Sequence, residues 1–231
     1  MNALPVLDEL GFYVLAGQPG SSRDLIDEVR TGETLGFGTA FVSERYNKKE
    51  AATLSGAAGA VTERIRIETA ATNHNTRHPM VTAGYARTMQ SLTGGRFVLG
   101  LGRGITALQD AYGISHVTTA QLEDFAQLMR RLFRGEVIFG HDGPAGRFPV
   151  LHLDGTLDEH LPLSIVAFGP NTLELGGRCF DEVVLHTYFT DETTQRCVRT
   201  GEGRSGTRRS RPRGRTRVVV FRDHRRPHPG G

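Results

Sequence analysis

PMVTAGYARTMQSLTGGRFVLGLGRG, residues 79–104, contains the repeating step from which the rest of the chain is built. Pro79 stands where a helix takes its first residue, because a proline there gives up only an amide that has no intrahelical partner. Met80 to Leu92 continues as helix, and Gly94-Gly95 stops it. Arg96 to Leu101 is an apolar strand, and it runs out into Gly102-Arg103-Gly104. Helix, glycine turn, strand and glycine-rich loop make one αβ step.

The step recurs in both directions. Upstream, Gly11 to Leu15, Thr39 to Val42 and Ile65 to Thr72 read as strands, separated by helical patterns at Asp24 to Leu35 and Lys49 to Thr62. Ser21 or Ser22 is placed to cap the first of these helices. Downstream, Leu122, Phe125, Leu128, Met129, Leu132 and Phe133 repeat at helical spacing within Thr119 to Arg134. Thr118 and Gln121 ahead of them have the capping-box pattern. Gly135 to Leu161 is an excursion with two short β-like pieces. Leu163 to Phe168 and Glu182 to His186 are strands around a short helix at Thr172 to Arg178, and Asp191 to Arg199 begins another helix. Strands alternating with helices predict a parallel sheet. Six such units without a dinucleotide-binding glycine fingerprint favour a (β/α) barrel over a doubly wound sheet.

The 231 residues suit one substantial domain, somewhat short of the roughly 250 of a complete barrel. The net charge of +3 averages two unlike regions. Residues 1–200 hold 18 basic and 23 acidic side chains, whereas residues 201–231 hold 10 arginines and 2 acids. The mildly acidic body gives no electrostatic reason to expect nucleic acid. No apolar run reaches the roughly 18 residues of a membrane span, and the N-terminus lacks a leader pattern, so a cytoplasmic protein is expected. Cys179 and Cys197 have no CxxC partner and read as reduced thiols. Residues 201–231, rich in Arg, Gly and Pro, read as a disordered tail that supplies at most one short strand, Val218 to Phe221. The change falls just after a helix has begun, which is expected of an out-of-frame translation more than of a basic arm.

Several segments, in order and spacing, resemble the luciferase-like monooxygenase superfamily, and within it the coenzyme F420-dependent oxidoreductases. They are residues 33–37 (ETLGF), 42–45 (VSER), 62–67 (TERIRI), 73–79 (NHNTRHP), 92–104 (LTGGRFVLGLGRG), 168–171 (FGPN) and 173–177 (LELGG). The resemblance covers residues 9 to about 200. It implies an eight-stranded luciferase-like barrel whose last two strands are absent here: domain 1–200 followed by the tail 201–231. It also implies a deazaflavin, F420, lying across the C-terminal mouth of the barrel and exchanging hydride with a small organic substrate. Two rivals remain: an FMN-dependent monooxygenase on the same fold, and an inactive truncated product with a basic tail.

The residues agree in part. Gly102, Arg103 and Gly104 permit close backbone approach to a phosphate, with a guanidinium for charge. Gly169, Pro170, Asn171 and Thr172 leave a strand and open a helix, a ready anion site. The resemblance implies a non-prolyl cis peptide at Ala70-Ala71 supporting the flavin-like ring, with Asn73 and His74 beside it. Glu44 and Arg45 end a strand where the family often has an acid followed by His. Arg45 stays protonated and cannot serve as general acid or base, but it can stabilise an anionic reduced cofactor or a substrate carboxylate. His186 ends the sixth strand and is a candidate catalytic residue with Glu44 and Arg45. His74 and His78 lack a third ligand, so no metal is expected. Arg77 and His78 are expected to fix the loop and helix start. The loop Ile105 to Val117 and the excursion Gly135 to Leu161 are expected to line the substrate pocket, and a homo-oligomer is allowed.

Overall fold

A computed structural model describes residues 7–17, 19–155, 160–185, 189–202 and 217–219. Seven strands form one sheet: β1 (Leu7–Tyr13), β2 (Phe37–Val42), β3 (Arg66–Thr69), β4 (Phe97–Leu101), β7 (Leu163–Val166), β8 (Glu182–Val184) and β9 (Arg217–Val219), in that spatial order. Every neighbouring pair is parallel. The crossovers carry α1 (Asp24–Thr34), α2 (Ala51–Ala60), α3 (Pro79–Thr93), α4 (Thr106–Tyr112), α5 (Thr119–Phe133), α6 (Pro170–Cys179) and α7 (Asp191–Glu202). β9 is the one short strand that the sequence allows in the tail, and it pairs with β8 through Val183↔Val218.

The sheet curls into an incomplete barrel. Arg66 on β3 reaches Glu182 on β8 at 2.6 Å, although β4 and β7 lie between them in the sheet. Alternation along each strand sorts side chains onto two faces. Ala40, Ile67, Phe97, Leu99 and Ile165 join the large core between sheet and helices. Phe41, Ala70 and Val184 form a separate small cluster on the inner face, with Tyr13 and Val166 against it. Fully burying a side chain such as Ile67 or Leu99 contributes about 1.5–3 kcal/mol, so the outer layer carries most of the stability.

Local rules account for most helix ends. Thr118 and Gln121 make the reciprocal capping box ahead of α5. Pro79 is at the start of α3, where the His78 ring accepts from the Met80 amide. Gly94 ends that helix at φ +59. α1 departs from expectation: Arg23 holds its N-cap position and no side chain caps it. Ser21 is used one turn earlier, accepting from the Arg23 amide while its own amide donates to Asp24, both at 3.1 Å. α2 starts at Ala51, later than its apolar pattern, because Glu50 accepts from the amides of Ala52 and Thr53 at 3.0 and 2.6 Å. α4 lies inside the stretch read as a loop; at seven residues its periodicity is too short to register.

Two side chains tie the N-terminal rim. Glu33 accepts from the amides of Glu63, Arg64 and Ile65, the shortest at 2.6 Å. Burial pushes the Glu33 carboxyl up, but those three amides outweigh it and hold the pKa below the usual range. Arg96 donates to the carbonyls of Thr93, Ile65 and Thr62. The excursion is an antiparallel hairpin, β5 (Ile138–Gly143) and β6 (Gly146–Leu151). It packs outside α3 and α5 rather than over the lumen. Phe148 lies between the rings of His78 and His141, and Asp124 accepts from the Ala145 amide at 2.9 Å.

Candidate active site

The ends of β2, β3 and β4 are stitched together at the mouth by backbone bonds that continue past the regular strands. Ala70 donates to Val42 O at 2.8 Å and Glu44 to Ala71 O at 3.0 Å. Thr72 donates to Gly100 O, and Gly102 to Thr72 O, both at 2.9 Å. The Ala70-Ala71 peptide is cis, as the resemblance implies. A Cβ on Gly102 would come within 2.9 Å of the Ala71 Cβ, so these two strand ends meet with no room for a larger side chain. Where they meet is a shelf of small residues.

A polar lattice holds the shelf from one side. The Asn73 amide donates to Gly102 O and accepts from the Tyr46 hydroxyl, both at 2.9 Å. Gln109, buried on α4, donates to Arg103 O at 2.6 Å. These three side chains converge on Gly104, which sits at φ +81 and would place a Cβ 2.8–3.2 Å from all of them. Tyr46 and Gln109 were not singled out from the sequence. Nothing in their local pattern marks them, and only the fold brings them to Gly104.

Charge gathers on the β2–β3 side. Glu44, nearly buried, accepts from Arg77 at 3.0 Å and from the Thr72 hydroxyl at 3.3 Å. Arg77 also donates to Thr72 at 2.8 Å and pairs with Glu50. Arg77 and His78 therefore do fix the loop and the helix start. Arg45 is exposed, and its amide bonds to Lys49 O. Lys49, which the sequence did not mark, is buried with its ammonium on the carbonyls of Val14 and Leu15 at 2.9 and 3.0 Å. Burial pushes its pKa down. A cavity of about 470 Å3 beside these groups is lined by Glu44, Tyr46, Lys49, Thr76 and Arg77 among others.

The remaining candidates fall at other strand ends. Arg103 donates to Val117 O at 2.7 Å, to Thr119 at 2.5 Å and to Thr172 at 3.2 Å, bracing the N-termini of α5 and α6. Gly169 is the N-cap of α6 with no side-chain cap, and Gly169, Pro170 and Asn171 are exposed. Thr172 is buried beneath them. His74 turns away from the lumen and stacks on Phe125 of α5 at 5.1 Å, with Nε2 buried and without a hydrogen-bond partner. Burial pushes its pKa down. His186 lies outside the described residues. Among the described residues no three His, Cys, Asp or Glu side chains come together as a metal site, and no helix is long and apolar enough to cross a membrane.

The model of the luciferase-like monooxygenase family matches residues 9–223. This chain belongs to that family. Among sequence relatives of this luciferase-like chain is the 5,10-methylenetetrahydromethanopterin reductase of Methanolobus tindarius. It is 30% identical over 159 residues, covering 68% of this chain and 48% of the relative. The F420-dependent glucose-6-phosphate dehydrogenase of Nocardia farcinica is 31% identical over 188 residues, covering 75% and 55%. The chain thus spans about half the length of the curated relatives it matches. Among solved structures, the coenzyme F420-dependent tetrahydromethanopterin reductase of Methanopyrus kandleri superposes with a TM-score of 0.76. That match is 18% identical and covers 94% of this chain and 64% of the other, and it supports the luciferase-like fold.

Proposed function

We propose that this luciferase-like chain holds the deazaflavin F420 on the shelf at its barrel mouth and serves hydride transfer to or from a small organic substrate. The observation that carries this reading is the shelf itself. Ala70, Ala71 and Gly102 present backbone and methyl groups only, as a flat ring requires, and the sequence relatives include enzymes named for F420. When bound, the deazaflavin supplies the hydride chemistry at its ring C5, and the protein supplies orientation and electrostatics.

This chain's residues divide the work. The open N-terminus of α6, at Gly169, Pro170 and Asn171, offers backbone dipoles to an anionic part of the cofactor. Arg103 adds positive charge there and, through Thr172, fixes that helix end. Asn73 and Gly104 set the loop after β4, and His74 forms the wall behind it. Arg45 is an exposed, permanent cation beside the shelf and stabilises negative charge on a reduced ring. Glu44 presents a carboxylate fixed by Arg77 and Thr72, while its backbone amide donates to the Ala71 carbonyl. His186, which follows β8 in sequence, is kept in this reading as a candidate catalytic residue.

Titration of the 231-residue chain with F420 and with FMN tests the assignment. F420 is expected to bind at least tenfold more tightly, a gap of about 1.4 kcal/mol. Equal affinities, or tighter FMN with oxygen consumption, would give the site to a monooxygenase.

A further inference from the structure

Lysine is rare in this chain. Of 28 basic residues 26 are arginine, and the two lysines, Lys48 and Lys49, stand side by side in the loop after β2. Lys48 is exposed and Lys49 is buried. The Lys49 side chain donates to two consecutive carbonyls, Val14 O at 2.9 Å and Leu15 O at 3.0 Å. Two acceptors converging on one nitrogen need a point donor on a slender stem, which the planar fork of arginine does not supply. Leu15 is the only non-glycine residue at positive φ, 49°, among the described residues. Its amide is held as well, donating to Glu28 of α1 at 2.6 Å. Left-handed backbone of this kind persists where the surroundings over-determine it. The lip of β1 is fixed from both sides, by Glu28 on its amide and by Lys49 on its carbonyls.

The main chain of Lys49 is tied to Arg45. Its amide donates to Arg45 O and its carbonyl accepts from the Arg45 amide, both at 3.0 Å. Arg45 directly follows Glu44, whose amide is bonded to the Ala71 carbonyl of the shelf. Tyr46, next in the turn, donates to Asn73 at 2.9 Å. The turn 45–49 is therefore anchored on the shelf at one end and on the β1 lip at the other. We infer that Lys49 is a positioning residue for Arg45. Its clamp on Val14 and Leu15 fixes the turn and keeps the Arg45 guanidinium at the shelf, where it favours the reduced, anionic cofactor. This rests on the F420 reading above. The clamp needs N–H donors rather than charge. Burial, and then the charge of Arg45, push the Lys49 pKa down against the opposing pull of Glu28. A neutral amine still has two N–H groups for the two carbonyls, so the clamp holds in either protonation state.

The test uses the full chain and compares its affinity for reduced F420 with its affinity for oxidised F420. Arg45→Gln should cut the preference for the reduced form by about tenfold, the scale of one lost charged partner. Lys49→Met should cut it by a similar factor. Lys49→Arg, which keeps the charge but not the point donor, should do the same. The double variant of Lys49→Met with Arg45→Gln should lose no more than Arg45→Gln alone, because both changes remove one shared contribution. If Lys49→Met does not fold, Lys49→Arg carries the same cycle. Losses that multiply in the double variant, or a wild-type preference in Lys49→Arg, would mean that Lys49 acts by its own charge. Equal weakening of both cofactor forms would make it a purely structural lysine, and an unchanged preference in Arg45→Gln would leave it nothing to position. Each of these overturns the positioning role and leaves the cofactor assignment standing. A chain that binds neither form of F420 removes both.

Discussion

Arg66 and Glu182 meet at 2.6 Å across the lumen and so join two strands that are not adjacent in the sheet. Glu182 is the more deeply buried partner, and its second oxygen has no hydrogen-bond partner. Arg66→Met therefore strands a carboxylate in the lumen and should cost about 2–3 kcal/mol by urea unfolding, somewhat under a fully buried pair because Arg66 keeps some exposure. The double variant with Glu182→Met should recover most of that loss. Additive losses in the two variants would mean that the pair is not what closes the curl.

Glu33 is the acid-sensitive tie of the N-terminal rim. Its folded pKa lies below the unfolded value of about 4.3, so its contribution is full above that value and is lost as pH falls through the folded pKa. Glu33→Gln should lower stability near neutral pH and flatten the decline on the acid side. Identical acid limbs for wild type and variant, measured by chemical unfolding between pH 3 and pH 6 on the order of one-unit steps, would remove Glu33 from this role.

A guanidinium reserved for phosphate would leave the empty protein indifferent to Arg103→Ala. Arg103 instead bonds to Val117, Thr119 and Thr172. The variant is expected to lose about 1.5–3 kcal/mol of stability as well as cofactor affinity. An unchanged melting temperature with weaker binding would restore the simpler role.

Gly104 and Gly94 both have positive φ, but only Gly104 is crowded. Gly94→Ala should cost about 1 kcal/mol, the usual penalty at such a backbone position. Gly104→Ala should cost clearly more, because its methyl would press on Tyr46, Asn73 and Gln109. Calorimetry on the pair separates backbone from contact; equal losses would show that the lattice yields.

β1 is a sheet edge among the described residues, with Leu10 45% exposed on it. Open edges pair with other chains. The chain is expected to self-associate in light scattering, and Leu10→Lys should reduce this severalfold, since an inserted edge lysine opposes strand addition. A monomer at all concentrations would show the edge to be covered.

Much of this was legible in the sequence, because the αβ step depends on short-range signals. The capping box at Thr118, Pro79 at the start of α3 and the strand Phe97–Leu101 all follow from a few neighbouring residues. The cis peptide at Ala70-Ala71 was reached only through the family resemblance, since two alanines carry no local mark. What stayed hidden was long-range. Lys49 reaches back to Val14 and Leu15, Gln109 meets Arg103 from inside an unrecognised helix, and Asp124 draws the hairpin to the outside of the barrel. His74 looked like a residue of the mouth because it follows a strand, yet its ring turns to Phe125. Spacing in sequence gives the strand end but not the direction in which the side chain leaves it.

Gly100 has a consequence for genetics. A Cβ there would lie 1.7 Å from the Thr69 carbonyl oxygen and 2.6 Å from Ser164 Oγ, in the middle of two paired strands that cannot part without opening the barrel. In a saturation-mutagenesis library this codon should tolerate a single allele, while exposed Gly169, with open space around it, accepts many. A population survey of this gene would then find silent variation at Gly100 and almost nothing else.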